Sequence, residues 1–412
     1  MTNRNLRLDN DPVEEALAKY LSALTKAAKP EAAQCFTPKF DEVPTEESLG
    51  RVTSKAVYAR FNSPHYNGAA MDGIAVKASS TTGASESSPV TLKPGKDFIP
   101  VNTGNPVNEP YDAVIMAEDL IHVDGEQSVK ITQSASVMQH IRPVGENFRA
   151  GDMLIAEKHK IRPIDIGVLV SGGIDRVQVY ARPKVAIFPT GSEIIDLSQL
   201  NKNETPKEGA IIESNSRMYE AQVRQAGGEP FRFAPVPDDY ELLKNAIRQA
   251  AQDYDVVIIN AGSSAGTEDY TVNALRGIGE VIVHGVAMKP GKPVILAIVN
   301  NKPVIGTPGY PVSAYISFET FIIPVLSILT GCEIKPRQKI NAVLSKQISS
   351  SVDRREYVRV KLENANGKLT AFPLARHSGV AMSLVQADGF CVIDQGCAGY
   401  DEGEIVVIEF LD

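Results

Sequence analysis

Near the start of the chain, Val13, Ala16, Leu17, Tyr20, Leu21 and Leu24 recur three or four residues apart, the spacing of one helix face. Asn10 or Asp11 can cap that helix and Pro12 suits its first turn, while Lys29-Pro30 marks its end. From Val43 to about Tyr180 the pattern changes to short runs such as AVIMAED, SVKITQ and DRVQVYA, separated by clusters of Gly, Pro and Asn. This predicts a mostly β region with irregular connections. The Ser/Thr-rich TTGASESSP at 81–89 reads as an exposed loop, and no internal repeat is evident.

Between Pro183 and Gly331 strand-like and helix-like windows take turns. KVAIF, the strand-like GAIIESN, a helix from Ser216 to Ala226, a strand before Pro237, a helix from Asp239 to Gln252 and the strand DVVII come first. A helix after Asp269, the strands PVILAIV and KPVIG around Asn300-Asn301, and a helix from Pro311 to Leu329 complete the series. The alternation predicts a layered α/β domain with a largely parallel sheet, in which ligands bind outside the carboxyl ends of the strands. After Gly331 the runs NAVLSKQI, EYVRVKLE, KLTAFPL and EIVVIEF predict a small closed or sandwiched β domain.

Composition bounds this picture. A chain of 412 residues, 43% of them hydrophobic, can bury several separate cores, so two to four domains are expected. A net charge of −8 and a pI near 5.5 give no global footprint for nucleic acid or an anionic membrane, so an anionic ligand needs a local basic pocket. The longest apolar stretch, Phe321 to Leu329, is interrupted by Pro324 and falls short of the roughly 20 residues that cross a bilayer. With no apolar segment behind the basic residues of the N-terminus, the chain is expected in the cytoplasm. Cys35, Cys332, Cys391 and Cys397 are too scattered for a disulfide framework, and the six histidines lack zinc-binding spacing. Any catalytic metal is therefore expected to be a hard ion held by carboxylates.

Three loops of the α/β region have the composition of anion cradles: Pro189-Thr190-Gly191-Ser192-Glu193, the run from Asn260 to Asp269 (NAGSSAGTED), and Met288-Lys289-Pro290-Gly291-Lys292-Pro293. Small residues let backbone N–H groups approach an anion at a helix N-terminus, and two neighbouring lysines hold phosphate. Singly, each reads more readily as an ordinary turn or connector. Three together at strand ends favour an anionic, nucleotide-like ligand. Glu193 and Asp269 cannot bind phosphate directly, but a magnesium ion between carboxylates and phosphates reconciles their charges. Upstream, Asp72 lies in the run NGAAMDGIAV, and Glu146, Arg149 and Asp152 lie in GENFRAGD; each by itself reads as a turn or a salt-bridged loop.

With those residues on the page, the sequence resembles the molybdopterin molybdenumtransferases, the MoeA-type family that includes the E domain of gephyrin. MDGIAV is similar to the family's MDGYAV, and Thr103-Gly104 followed by DAVIMAED to its TG…DAVV…ED segment. PVGENFRAGD, PTGSEI, ESNS, MKPGKP and PGYPVSAY follow in the family's order over some 320 residues. Two departures stand out. AGSSAG at 261–266 replaces GGVSVG, and TPGYPVS at 307–313 replaces LPGNPVS, which leaves tungstate open as the metal handled.

The resemblance implies an elongated multidomain chain, α/β plus β. A helix at 9–30 would pack with a three-layer, molybdopterin-binding α/β domain at 181–331. Residues 31–50 with 145–180 would form a linker domain, 51–144 a β domain inserted in it, and 332–412 a C-terminal β barrel. It also implies a homodimer with its active site between subunits, acting on adenylylated molybdopterin and molybdate with magnesium, with a molybdopterin adenylyltransferase and apo-molybdoenzymes as partners. Carried across motif by motif, it gives Asp72, Thr103, Asp152, Glu193, Asp255 and Asp269 catalytic or positioning roles, with Glu193 and Asp269 on magnesium. Thr190, Gly191, Ser192, Gly262, Ser264, Gly266, Lys289, Lys292, Pro308, Arg354 and Ser378 would bind the cofactor or oxyanion. Two other readings are a catalytically silent carrier or scaffold of the finished cofactor, and an adenylyltransferase that activates molybdopterin with ATP.

Overall fold

The computed structural model describes residues 10–27, 36–123, 127–261, 270–365 and 367–411. The chain forms two compact units, Met1–Asp41 with Tyr180–Asp412, and Glu42–Val179.

The larger unit is built on a six-stranded sheet: β1 (Lys184–Pro189), β2 (Glu229–Arg232), β3 (Val256–Ala261), β4 (Glu280–His284), β5 (Ile295–Val299) and β6 (Lys302–Pro308), in the order β2-β1-β3-β6-β5-β4. The first four run parallel, and only β5 is reversed, joined to β6 by the Asn300-Asn301 turn, where both residues have positive φ. The central strands β1, β3, β5 and β6 are mainly apolar because both faces are covered. Val185, Ile187, Val256, Ile258 and Ile305 point to a core shared with α1 (Val13–Ala27) and α2 (Asn215–Gln225). Ala186, Phe188, Val257, Ile259 and Val304 point the other way, to α3 (Tyr240–Asp253) and α4 (Tyr270–Arg276). The period-two alternation of each strand thus makes three layers. Helix α1 joins this domain although it is remote in sequence: its buried Tyr20 hydroxyl donates to the Ala297 carbonyl of β5 at 3.0 Å.

The expectation that no apolar stretch approaches membrane length needs correction. The segment Pro311–Thr330 is one continuous 20-residue helix, long and apolar enough to qualify by length and composition. It runs as α5 (Pro311–Ser317), a π-helical turn (Phe318–Ile322) and α6 (Ile323–Thr330). The wider turn lies where the ring of Pro324 would press on the preceding turn of a regular helix, so the proline does not end it. The helix is apolar because Val312, Phe318, Phe321, Val325 and Leu326 fill the sheet's core, all of them fully buried.

Asp255 immediately precedes β3, at the amino end of the sheet. It accepts the Lys184 N–H at 2.9 Å and pairs with Lys39 at 2.8 Å and Lys302 at 3.4 Å. Burial works to raise its pKa, but the hydrogen bonds from Lys39 and Lys184 and the Lys302 charge hold it below the usual carboxylate value. A depressed folded-state pKa contributes stability that is present above the unfolded value of about 3.9 and is lost as pH falls through the folded value. Asp255→Asn should therefore destabilise the protein by about 1–3 kcal/mol at pH 7. In urea unfolding, the gap to the parent protein should narrow as pH drops below about 4; a pH-independent gap would show that the charge is not what matters.

The C-terminal strands β7 (Lys339–Leu344), β8 (Arg355–Ala365), β9 (Lys368–Pro373), β10 (Gly389–Ile393) and β11 (Ile405–Phe410) close into a five-stranded barrel, since β8 pairs with both β9 and β10. Its interior holds Leu344, Val358, Val360, Ala371, Ile393 and Ile408. Cys391 lies there too, and burial pushes its thiol up to about 12, which keeps it protonated. The short strand Met288–Lys289 leaves the α/β domain to run parallel to Arg355–Glu356 on β8.

In the smaller unit, Gly73–Val76 lies between Phe98–Val101 and Ala113–Met116, and Val129–Ile131 between Val90–Leu92 and Ile121–His122. A common core of Ile74, Val76, Leu92, Phe98, Ile115 and Ile131 joins the two three-stranded sheets. The excursion is closed at its neck, where the Ser63 N–H donates to the Phe148 carbonyl at 2.9 Å. Ile161, Val177 and Val179 form a separate small core beyond the neck.

Candidate functional site

A cleft of about 1090 Å³ opens in the larger unit, with one wall at the carboxyl ends of β1, β3 and β6 and the other on the barrel. Thr190, Asn260 and Pro308 come from the three strand ends. A buried polar network fixes their spacing. Asn215 Nδ2 donates to Asn260 Oδ1 at 3.0 Å and to the Gly309 carbonyl at 2.7 Å, and Asn260 Nδ2 donates to the Pro308 carbonyl at 3.0 Å. Beneath it the Tyr219 hydroxyl donates to Thr307 Oγ1 at 2.8 Å. Buried amides and hydroxyls that satisfy one another in this way hold a single geometry, because any slip strands a polar group.

Glu213, buried in the ESNS run, turns back on the first turn of α2. It accepts the Ser216 N–H at 2.7 Å, the Ser216 hydroxyl at 2.6 Å and Arg217 at 3.0 Å. Arg217 also reaches Asp196, as does Arg232. The Ser198 hydroxyl and amide together with these guanidinium groups hold the Asp196 carboxyl far below the usual range. These bonds fasten the short parallel strands Ile194–Ile195 and Ile211–Ile212, of which Ile194, Ile211 and Ile212 form one side of the cleft.

The KPGKP loop supplies Lys289 and Lys292. Gly291 has φ +115°, a backbone conformation in which any larger residue between the two lysines would be strained. From the barrel come Arg354, Arg376, His377, Ser378 and Gly379. Arg354 makes a bidentate pair with Asp353, which its guanidinium and the Ser351 hydroxyl hold down at about 2. Arg376 and Lys289 both bond Glu356, which lies behind them. The turn from Arg376 to Gly379 is held from below by Arg359, whose fully buried guanidinium donates to the carbonyls of Tyr357, Ala375 and His377 and to Ser383 Oγ. It is held from the side by the Val312 N–H, which donates to the Ser378 carbonyl at 3.1 Å.

Of the residues singled out from the sequence, Thr190, Glu193, Lys289, Lys292, Pro308, Arg354 and Ser378 therefore line one cleft. Gly191 and Ser192 belong to the same loop without lining it. A Cβ on Gly191 would come within 2.8 Å of the Glu193 carboxylate, so the glycine lets that acid fold back over the loop. Gly262, Ser264, Gly266 and Asp269 lie outside the described residues. Asp255 is not brought to the cleft: it occupies the opposite end of β3, where three nitrogen donors consume its charge. Asp72, Thr103 and Asp152 belong to the smaller unit. There Asp72 Oδ1 accepts the Thr103 N–H at 2.6 Å, which keeps it ionised, and Asp152 accepts the Arg149 N–H at 2.7 Å. Gly73 after Asp72 is obligatory, since a Cβ would lie 2.0 Å from the Ile115 carbonyl oxygen.

Asn260, which opens the second predicted cradle, lines the cleft as well, whereas sequence reasoning did not single out Asn215, Glu213 and Arg376 as lining residues. The signals were present: the polar ESNS before a helix, and the arginine two residues before Ser378. It also missed Asp238, whose carboxylate meets the Ser192 N–H at 3.4 Å beside the 189–193 loop.

Comparison with known proteins agrees with this architecture. Residues 11–173 match the MoeA N-terminal region (domains I and II), 186–327 a probable molybdopterin binding domain, and 341–411 the MoeA C-terminal region (domain IV). A Methanocaldococcus jannaschii protein named for molybdopterin biosynthesis is 33% identical over 90% of this chain and 92% of its own. Molybdopterin molybdenumtransferase 2 of Mycobacterium tuberculosis is 32% identical over 81% of this chain and 86% of its own. The crystal structure of the molybdopterin biosynthesis MoeA protein from Pyrococcus horikoshii superposes with a TM-score of 0.79 at 32% identity, covering 98% of this chain and 99% of that one.

Proposed function

This chain belongs to the MoeA family, and from that premise we propose that it is a molybdopterin molybdenumtransferase of molybdenum cofactor biosynthesis, which inserts molybdenum from molybdate into adenylylated molybdopterin and releases AMP. The observation that carries the reading is the convergence of Lys289, Lys292, Arg354, Arg376 and Ser378 on one cleft of a protein with net charge −8. Asp353 and Glu356 pair with three of these cations from outside the cleft lining, and the cations themselves face the cleft, which suits an anionic ligand.

The fixed cations and the Ser378 hydroxyl suit a tetrahedral dianion. Donors already in place need not reorganise as charge shifts during the reaction, which is the main source of electrostatic catalysis. The apolar side formed by Ile194, Ile211 and Ile212 suits the less polar part of an adenylylated substrate.

A magnesium requirement fits the acids present. Among the described residues no group of three or more His, Cys, Asp or Glu converges on one point, so the protein would offer one or two carboxylates and the substrate phosphates the rest, a common magnesium arrangement. Glu193, together with Asp269, would hold the ion, which would neutralise the phosphoanhydride and ease the departure of AMP. Glu213 is committed to Ser216 and Arg217 and does not compete for it. Asp72, Thr103 and Asp152 are proposed to position substrate, in a cytoplasmic homodimer that receives its substrate from an adenylyltransferase and serves apo-molybdoenzymes.

Purified protein given adenylylated molybdopterin, molybdate and magnesium should release AMP in proportion to molybdate. AMP that stays bound to the pterin would overturn the proposal. Pterin adenylylation from ATP without molybdate would move the activity to the preceding step.

A further inference from the structure

Glu356 is only 2% exposed, and both of its oxygens are engaged. Oε2 accepts the Ser350 hydroxyl at 2.9 Å, while Oε1 receives Lys289 Nζ at 3.2 Å and Arg376 Nε at 2.9 Å. Arg376 spends its Nη2 on the same carboxylate and on the Ser349 carbonyl. The two cations come from different parts of the fold, Lys289 from the KPGKP loop and Arg376 from the turn after β9. Both line the cleft, and the carboxylate that joins them does not.

We infer that Glu356 is a positioning residue and counter-charge for the oxyanion: it aims Lys289 and Arg376 at the ligand and offsets part of their charge, so that a dianion is oriented but not trapped. The inference rests on the function proposed above. Its physical basis is distance. A charge one ammonium group away from the oxyanion lies about 6 Å from it, and removing a unit negative charge there strengthens binding of a dianion about tenfold even at the dielectric constant of water. A carboxylate placed only to hold the barrel together would not need a second cation reaching in from the α/β domain. The group stays ionised: burial favours its neutral form, but the bonds from Arg376, Ser350 and Lys289 outweigh that and keep its pKa below the ordinary value.

The test uses the full chain. Molybdate and sulfate affinities would be measured by titration calorimetry and AMP release by single turnover, for the parent, Glu356→Gln, Glu356→Asp and the double variant Lys289→Met/Glu356→Gln. Glu356→Gln keeps the shape and should bind both anions about tenfold more tightly, while its AMP release slows at least tenfold. Removing Lys289 as well should abolish most of that gain. Glu356→Asp keeps the charge but is too short to hold both cations, so its anion affinity should stay within about twofold of the parent while release slows; it also serves if the glutamine variant does not fold. Anion affinity that is unchanged or weakened in a folded Glu356→Gln protein overturns the inference, even if the parent turns over normally. Tighter anion binding in Glu356→Gln with no AMP release from the parent would sink the proposed reaction and leave the counter-charge standing. Binding of neither anion to either protein would sink both.

Discussion

Lys292→Ala is expected to release AMP at least a hundredfold more slowly than the parent protein, with its melting temperature nearly unchanged. The size follows from the loop. Lys292 is set between Pro290-Gly291 and Pro293, its carbonyl accepts the Val286 N–H at 2.8 Å, and Gly291 takes φ +115°. Its ammonium group is thus presented on a backbone that does not have to reorganise, and losing one such preorganised donor costs about 2.7–4 kcal/mol of transition-state stabilisation. Lys292→Arg should rescue little, because a planar guanidinium does not replace a compact ammonium ion where the approach is confined. Single-turnover rates at saturating pterin decide the matter; a loss below about threefold would mean that the oxyanion is held elsewhere.

The second large effect concerns Arg359. Arg359→Leu would remove the donor that the carbonyls of Tyr357, Ala375 and His377 share, and the partner of the buried Ser383 hydroxyl. Each lost charge-assisted bond is worth about 1.5–3 kcal/mol, and water replaces part of those to the exposed Ala375 and His377, so a loss of about 2–4 kcal/mol is expected in urea unfolding. The carbonyls it holds carry the Arg376–Gly379 turn, so oxyanion affinity should fall as well. Arg359→Lys should recover only part of either loss, since three donors from one atom cannot span the acceptors that a guanidinium fork reaches. A leucine variant as stable as the parent would remove Arg359 from this account.

The layers of the larger unit were legible because their determinant is local. Apart from Lys184 and Asp255 at their starts, KVAIF, DVVII and PVILAIV are apolar throughout, which marks strands covered on both sides, and the helices between them carry 3.6-residue stripes. The cleft was half legible. Lys289, Lys292 and Thr190 sit in loops whose composition betrays an anion cradle. Arg376 and Asn215 do not, for each matters through a partner 45 residues away or on another strand, and pairing of that kind has no period to read. Asp255 shows the same limit in reverse. An acid next to a strand looks alike at either end, and only the fold reveals that this one is flanked by Lys39, Lys184 and Lys302. The helix from Pro311 was legible, but its apolar length was underestimated because Pro324 reads as an interruption, whereas a widened turn carries the chain past it.

The strand formed by Met288–Lys289 belongs to both walls of the cleft at once, continuing the α/β domain and pairing along β8 of the barrel. Two walls stitched by a common rung cannot swing apart as jaws do. Guests must enter through the mouth, and their acceptance is a matter of fixed caliper width more than of closure around them. Selection between oxyanions of similar charge is then a question of bond length and radius, and a chain cut before Lys339 would forfeit the aim of a lysine it still contains.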